Sequence, residues 1–576
     1  MKPICFLILL TVLTFCLVPG NDFAGDDELI FGQNPFYSSG SNFSRIFCRD
    51  AALIDPAVFS RHNQADIGTG LIAFRPVQAA TYFIDRGLWG ANPAGYHAAN
   101  LILHTVNVVL IYGVLGLFLS PGAAVFAAAL FAAHPVVVDP VANISSRADL
   151  LAGLFILISF WCFERSVTRR PGWGWGSLAL LSYFFAVFSK ESAGIYPLVI
   201  AAFFWLCRRE KAAAPPRPGL RILPYGVIGS FYLFVYFAVF PTQALFRGAS
   251  DAATVPAHPV WLNLWRVVFY LKEIIWLPGV NILPPFYNPD ITSGFVGKAC
   301  AGLAVLAGAV WGFWYFYRRD KTSAFLLCWA SVFYLPVSGI IALANPTAHR
   351  FLYLSLIGAV GLLARHFLNW LERRPLGLFT RKLILIAIIA VCASRSFDLT
   401  RQWHDDISLS TAVIRSFPDH PKAYAVLGDA YFRQGKYAAA RLALEQSVRL
   451  GSKDPRVFYD LGMSAANFAV SKTAFQTAIE LDKEYVSPYI GLGRLYLLQG
   501  DYSRAVIFLR QAYVKEVTYA SCGYYIQALV LIGQNSTAEQ VLRQAGRVLS
   551  DPGQRLSLQK LFIDMPQQRK PRDIGI

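Results

Sequence analysis

Charge is scarce in this sequence: of 576 residues, 52 are Lys or Arg and 35 are Asp or Glu, 15% in all. An ordinary soluble surface needs about a quarter of the chain charged, so that class is excluded. Cysteine is sparse too. The 9 thiols have no metal-ligand spacing and most sit inside apolar stretches, where a thiol behaves as a small hydrophobe, so neither zinc nor a disulfide framework follows. The net charge of +17 would suggest nucleic acid in a soluble chain. Here the cations cluster in short loops between apolar blocks, which makes them signals of membrane orientation and leaves no nucleic-acid partner expected. What the chain has in quantity is hydrophobic residues, 55% of the total with a mean hydropathy of +0.43. They fall in blocks of about 20, enough to cross a hydrocarbon core of about 30 Å as helix, so a lipid bilayer is the first partner.

Ile4 to Val18 is a short apolar run behind Lys2. It reads as a first transmembrane helix and not as a cleaved signal peptide, because Leu17-Val18-Pro19-Gly20 lacks the small-x-small pattern of a cleavage site. A long polar loop follows over about 20–95, and further spans are expected at 96–119, 122–142, 148–164, 174–190, 191–207, 222–241, 295–317, 323–344, 348–368 and 381–398. Segment 259–279 is ambiguous: Arg266, Lys272 and Glu273 interrupt it and Pro278-Gly279 ends it. Four cationic clusters decide, namely Arg165, Arg169 and Arg170; Arg208, Arg209, Lys211 and Arg217; Arg318, Arg319 and Lys321; and Arg373, Arg374, Arg381 and Lys382. All are cytoplasmic together only if 259–279 lies on or dips into the outer face, which gives about eleven spans, a cytoplasmic N-terminus and an outer C-terminal tail. The first loop agrees, since Arg45, Arg49, Arg61, Arg75 and Arg86 are outnumbered by acids there.

Near residue 402 the apolar blocks stop and a 34-residue self-similarity begins. Leu427-Gly428, Leu461-Gly462 and Leu492-Gly493 recur, with Tyr437, Ala440 and Leu444 following the first and Tyr502, Ala505, Leu509 and Ala512 the third. This is the tetratricopeptide pattern, in which Gly and Ala let the paired helices of a unit approach. The middle unit is three residues short, and a degenerate fourth unit with Gly533 and Ala538 is expected near 519–548. The fold class is therefore all-α: a polytopic membrane bundle over 1–400 and a tetratricopeptide α-solenoid over 401–576.

Several polar groups stand where a membrane protein has few. The first outer loop opens on Asp22-Phe23-Ala24-Gly25-Asp26-Asp27-Glu28. An acidic run of this kind is most simply a solvated helix cap. The next helix begins Tyr96-His97-Ala98-Ala99-Asn100 and continues to His104, so His97, Asn100 and His104 share one face, either as bonded core groups or as functional ones. His134-Pro135, Asp139, Arg147-Ala148-Asp149 and Lys190-Glu191 occupy the following outer junctions, with Arg75-Pro76 in the first loop and Arg350 entering from a later helix. Each alone is an ordinary interfacial ion pair or snorkelling side chain. Their convergence on one face is the signal.

Nearly the whole chain resembles the transmembrane-and-tetratricopeptide-repeat proteins grouped with the protein O-mannosyltransferases among the type-C glycosyltransferases (GT-C). The likeness rests on Asp26-Asp27 with Asn34-Pro35, Arg75-Pro76, Tyr96-His97 through His104, and His134-Pro135 through Arg147-Ala148-Asp149. Lys190-Glu191, Arg350-Phe351-Leu352-Tyr353-Leu354 and Trp403 extend it. Gly25 departs from the apolar or aromatic residue expected before the acidic pair, and the repeat array is short.

The resemblance implies transfer of a sugar from a polyprenyl-phosphate donor to a protein hydroxyl on the outer or lumenal face, with inversion. It makes Asp26 the first candidate for general base and Asp27 the second, with Glu28 in support. Arg147, Lys190 and Arg350 are the candidates for stabilising the departing lipid phosphate. Arg75, His97, His104, His134, Asp139, Asp149 and Glu191 support the site. Asp139 and Asp149 bind sugar hydroxyls, orient cations or hold a divalent metal, and no metal is favoured. The repeats are expected to bind the acceptor protein. The competing readings are a non-enzymatic membrane assembly factor, which needs no acids in the first loop, and a transporter, which lacks its paired half-domains here.

Overall fold

The computed structural model describes residues 2–27, 30–31, 35–47, 74–168, 173–207, 218–239, 260–276, 280–282, 294–339, 347–549 and 551–568. Glu28, Asn34, Arg49, Arg61, Arg169, Arg170, Arg208, Arg209, Lys211, Arg217, Pro278 and Gly279 of the sequence reading lie outside them. Among the described residues every regular element is helical. They form two compact units that divide between Ala412 and Val413.

The longer helices of the first unit are α1 (Lys2–Thr14), α2 (Pro76–Trp89), α3 (Pro93–Leu115), α4 (Pro121–Ala133), α5 (Arg147–Thr168), α6 (Trp173–Ser189) and α7 (Tyr196–Leu206). They continue with α8 (Pro218–Val239), α9 (Val260–Ile275), α10 (Phe295–Arg319), α11 (Lys321–Tyr334), α12 (Tyr353–Glu372) and α13 (Leu378–Gln402). Proline opens α2, α3 and α4, where its missing N–H is no loss. Asn92 and Ser120 cap α3 and α4 by accepting the N–H groups of Ala94 and Ala123.

Among the described residues seven helices are long and apolar enough to cross a membrane, and an eighth results if α4 and the segment Pro135–Ala142, bent by 51°, count as one. Trp173–Ser189, Glu191–Leu206 and Lys321–Val337 are apolar but shorter. The chain is thus a multi-pass membrane protein, with seven or eight full-length candidates where the sequence reading placed about eleven spans. The expected span 122–142 is interrupted because His134 precedes a proline and is driven to extended backbone, φ −68° and ψ 129°. The 16-residue α9, inside the ambiguous 259–279, is among neither the long nor the shorter apolar helices.

The first loop is not polar throughout. It contains α2, whose Tyr82 meets Phe31 edge-on at 4.7 Å, while Phe31 also meets Tyr96 of α3 at 5.1 Å. Hydropathy averaged over a span-length window misses this 14-residue helix, because it buries only one face.

The second unit is a stack of antiparallel helix pairs: Pro421–Arg433 with Tyr437–Arg449, Pro455–Ser464 with Phe468–Leu481, Val486–Gln499 with Tyr502–Lys515, and Tyr519–Leu531 with Asn535–Val548. The repeat glycines allow close pairing. A Cβ on Gly428 would stand 2.6 Å from the Leu444 side chain, and one on Gly462 would stand 2.6 Å from Phe475. The three missing residues of the middle unit come from its first helix, 10 residues long against 13 and 14 in its neighbours, which stops where Ala465 turns extended.

Candidate functional site

Asp26 and Asp27 share one turn of backbone that begins at Gly25. Gly25 takes φ +62°, where a residue with a Cβ is strained, and its N–H donates to Asp406 Oδ1 at 2.7 Å. That conformation gives a local reason for glycine before the acidic pair. Asp27 turns inward and is buried, with Oδ2 accepting the Ile144 N–H at 2.8 Å and Oδ1 accepting the Ser145 N–H at 2.7 Å. Burial pushes its pKa up to about 8, against the pull of those two N–H donors. Asp26 stays half-buried.

The turn that holds Asp27 also holds most of the other candidates. Ser146, one residue on, donates its hydroxyl to Asp139 Oδ1 at 3.4 Å. Asp139 Oδ2 accepts the Arg350 N–H at 3.1 Å, and Oδ1 lies 3.5 Å from Arg350 Nη1. Asp149 pairs with Lys190, whose ammonium lies 5.6 Å from the Phe351 ring centroid. Next to Lys190, Glu191 accepts a two-pronged bond from Arg75 at 2.9 and 2.6 Å. Asp139, Asp149, Lys190, Glu191, Arg75 and Arg350 therefore form one set of neighbouring ion pairs.

Arg147 differs from the other two phosphate candidates. It is 1% exposed and pairs with Asp85 of α2. Its Nε donates to Asn100 Oδ1 at 2.7 Å, Nη2 to the Tyr96 carbonyl at 3.0 Å and Nη1 to Thr81 Oγ1 at 3.2 Å, and its guanidinium lies 5.0 Å from the Tyr82 ring centroid. It is a pin that joins α2, α3 and α5. Arg350, with 19% of its side chain exposed, is the most open of the three.

The histidines divide similarly. His104 lies between the Tyr353 hydroxyl at 3.0 Å and the Ala132 carbonyl at 3.4 Å, and His134 between the Ile274 carbonyl at 3.1 Å and the Val136 N–H at 3.2 Å, so both are bonded inside the core. His97 Nε2 reaches the Asp22 carbonyl at 3.2 Å, while Nδ1 is buried with no partner among the described residues. His349 adds a contact from α9, with Nε2 3.2 Å from Glu273 Oε2. Among the described residues no group of three or more His, Cys, Asp or Glu side chains is placed to hold a metal ion.

The family described as dolichyl-phosphate-mannose-protein mannosyltransferase matches residues 86–221, and a tetratricopeptide repeat family matches 408–455 and 463–520. A human protein described as protein O-mannosyl-transferase TMTC3 is 22% identical over 442 residues, covering 70% of this chain and 47% of its own length. Mouse protein O-mannosyl-transferase TMTC1 is 40% identical over 26% of this chain and 15% of its own, and Caenorhabditis elegans protein O-mannosyl-transferase F38B6.6 is 31% identical over 27% and 22%. The resemblance to the transmembrane-and-tetratricopeptide-repeat proteins is thereby shown. The chain spans less than half the length of these curated relatives. Among solved structures, the archaeal oligosaccharyltransferase AglB from Archaeoglobus fulgidus aligns over 75% of this chain and 59% of its own with 13% identity and a TM-score of 0.39, a likeness too low to carry an argument.

Within the mannosyltransferase match lie His97, His104, His134, Asp139, Arg147, Asp149, Lys190 and Glu191, while Asp26, Asp27, Arg75 and Arg350 fall outside it. Sequence reasoning missed Asp85 and Tyr82, the partners of Arg147, since both sit on the unrecognised α2. It also missed Asp406, for which no pattern in the sequence gives a signal.

Proposed function

We propose that the membrane unit moves a sugar from a polyprenyl-phosphate carrier to a protein hydroxyl, with inversion at the anomeric carbon, on the outer or lumenal face. The observation that carries this reading is the turn Ile144–Asp149, whose backbone holds the first-loop acids at Asp27 and whose side chains hold the cationic set through Asp139 and Asp149. Inverting transfer needs those two chemistries together: a carboxylate to take the acceptor's proton and fixed positive charge to meet the departing phosphate.

Asp26 is the base. It is half-buried in the first outer loop, beside the buried Asp27. Asp27 positions the loop. Arg350 meets the phosphate with Lys190 behind it, and Arg147 acts at a distance by fixing α2 against α3. The tetratricopeptide unit presents the acceptor polypeptide along the first helices of its pairs.

The deciding experiment is intact-mass measurement of outer-face proteins from cells with and without this gene. Loss of hexose-sized mass from one or more proteins supports the reading. Unchanged masses, with partner complexes dissolved, would assign the chain to membrane assembly instead.

A further inference from the structure

Arg266, in the middle of α9, is 2% exposed. Its Nη1 donates to Asn263 Oδ1 at 2.8 Å, whereas Nε and Nη2 have no partner among the described residues. A guanidinium withdrawn from water with donors unmet is a costly thing for a fold to keep. Arg147 and Lys190, also buried, each have an acid. Among the described residues, Tyr270 and Tyr334 bear electrostatically on Arg266, and neither is an anion at neutral pH.

Other polar atoms nearby are left over in the same way. The Tyr334 hydroxyl is buried without a partner among the described residues, on a ring 5.7 Å from Tyr270. Thr347 Oγ1 is likewise unmet, next in the chain to Ala348, whose N–H donates to the Tyr270 hydroxyl at 3.1 Å. Gly339 draws the backbone into this corner at φ +89°: its carbonyl accepts from Asn263 Nδ2 at 3.0 Å, and a Cβ there would collide with Asn263 and Arg266. The leftover groups on Arg266 and Tyr334, which lie within electrostatic reach of each other, can both donate. What would satisfy them is an anion with several lone pairs.

The setting of α9 indicates the source. A Cβ on Gly302 of α10 would collide with the Leu264 carbonyl, so α9 and α10 touch backbone to backbone. α10 is a candidate span with only 6% of its apolar window buried, and Leu271, Ile275 and Trp276 are exposed beside it. The donors therefore lie behind a surface that faces lipid. We propose that Arg266, with Tyr334, binds the phosphate of a membrane lipid through donors other than Arg350. This site stands whether or not the chain transfers sugar. Its occupant braces α9, which reaches the 347–350 turn through Tyr270 to Ala348 and Glu273 to His349.

The test uses the purified full chain in a neutral, phosphate-free detergent, titrated with dihexanoyl phosphatidic acid or with inorganic phosphate while the unfolding midpoint is followed. The lipid should raise the midpoint saturably in the parent and not in Arg266→Met, with little response to inorganic phosphate. Tyr334→Phe, which keeps the charge, should weaken the lipid effect about tenfold, the loss of one charge-assisted hydrogen bond. Ligand-free Arg266→Met should unfold no lower than the parent, since it removes an unmet charge. A midpoint far below the parent would make Arg266 structural and overturn the site. An unchanged titration in Arg266→Met, or no saturable response of the parent to either probe, would overturn it as well. An equal response to inorganic phosphate would overturn the lipid source.

Discussion

Ser145 donates its backbone N–H to Asp27 Oδ1 at 2.7 Å, closing a contact across 118 residues of sequence. With the Ile144 N–H on the other oxygen, both Asp27 oxygens are engaged by backbone inside the fold, so the two first-loop acids should separate on substitution. Asp26→Asn is expected to lower the transfer rate about 10²-fold to 10⁴-fold with normal insertion and unfolding midpoint. Asp27→Asn should act mainly on the midpoint, because its amide nitrogen would face an N–H group. Equal rates for parent and Asp26→Asn would move the first-loop acids to the role of solvated surface.

Stability should depend on pH through Asp27. Its folded pKa of about 8 lies above the ordinary 3.8, so the folded state holds the proton more tightly than the unfolded chain does. The stabilisation is complete below about pH 4 and fades as pH rises through 8. Unfolding midpoints of the membrane unit at pH 5, 6.5 and 8 should therefore fall in order, and Asp27→Asn, which cannot ionise, should flatten the slope. A parental slope retained in that variant would place the titration elsewhere.

The two arginines should part company when stability and turnover are measured together. Arg147→Ala leaves Asp85 buried without its cation and should destabilise the fold by roughly 3–5 kcal/mol. Arg350→Ala leaves Asp139 the Ser146 hydroxyl and the N–H of residue 350, so it should lower the midpoint less than Arg147→Ala does while lowering kcat about 10²-fold. A parental kcat with Arg350→Ala would leave the departing phosphate to Lys190 alone.

Chelation should have little effect. Asp139, Asp149 and Glu191 each already face a cation, Arg350, Lys190 and Arg75 in turn, so a divalent ion would have to displace an ion pair to bind. Transfer rates before and after prolonged EDTA treatment should agree; a loss restored by added Mg²⁺ or Mn²⁺ would show that the carboxylates do exchange partners.

A reporter fused after Ile576 should be active outside the cytoplasm. The loop cations permit no other side if 259–279 does not cross, and α9 has 16 residues and three charges, Arg266, Lys272 and Glu273. Cytoplasmic activity would turn 259–279 into a span, put Arg350 on the opposite face from the residues that precede it, and make the proposed site geometry wrong.

The sequence disclosed what repeats or recurs. Leu427-Gly428 and its copies specify the paired helices, because glycine there meets Leu444 and a Cβ would not fit. The apolar blocks gave the long helices to within a few residues, as with 295–317 against Phe295–Arg319. Groups such as Asp26, Asp139 and Lys190 could be named as uncommon near a bilayer, but not which partner each would take. Arg147 and Arg350 look alike in the sequence; Asp85, on a helix too short for a hydropathy window, is what makes the first a pin. Arg266 was legible only as an interruption of an apolar stretch, since a missing partner becomes visible only once the neighbours are in place.

Six successive residues, Ile144 to Asp149, hold Asp27, Asp139, Asp85 and Lys190. A connector that merely spaces two helices tolerates a change of length. This one cannot: a single added residue after Ser145 would swing the start of α5 by about 100°, taking Arg147 and Asp149 away from their acid and base while Ser145 kept its own. Gain or loss of one codon in this stretch should therefore be as damaging as several substitutions made together, whereas the same change in an exposed loop would be tolerated.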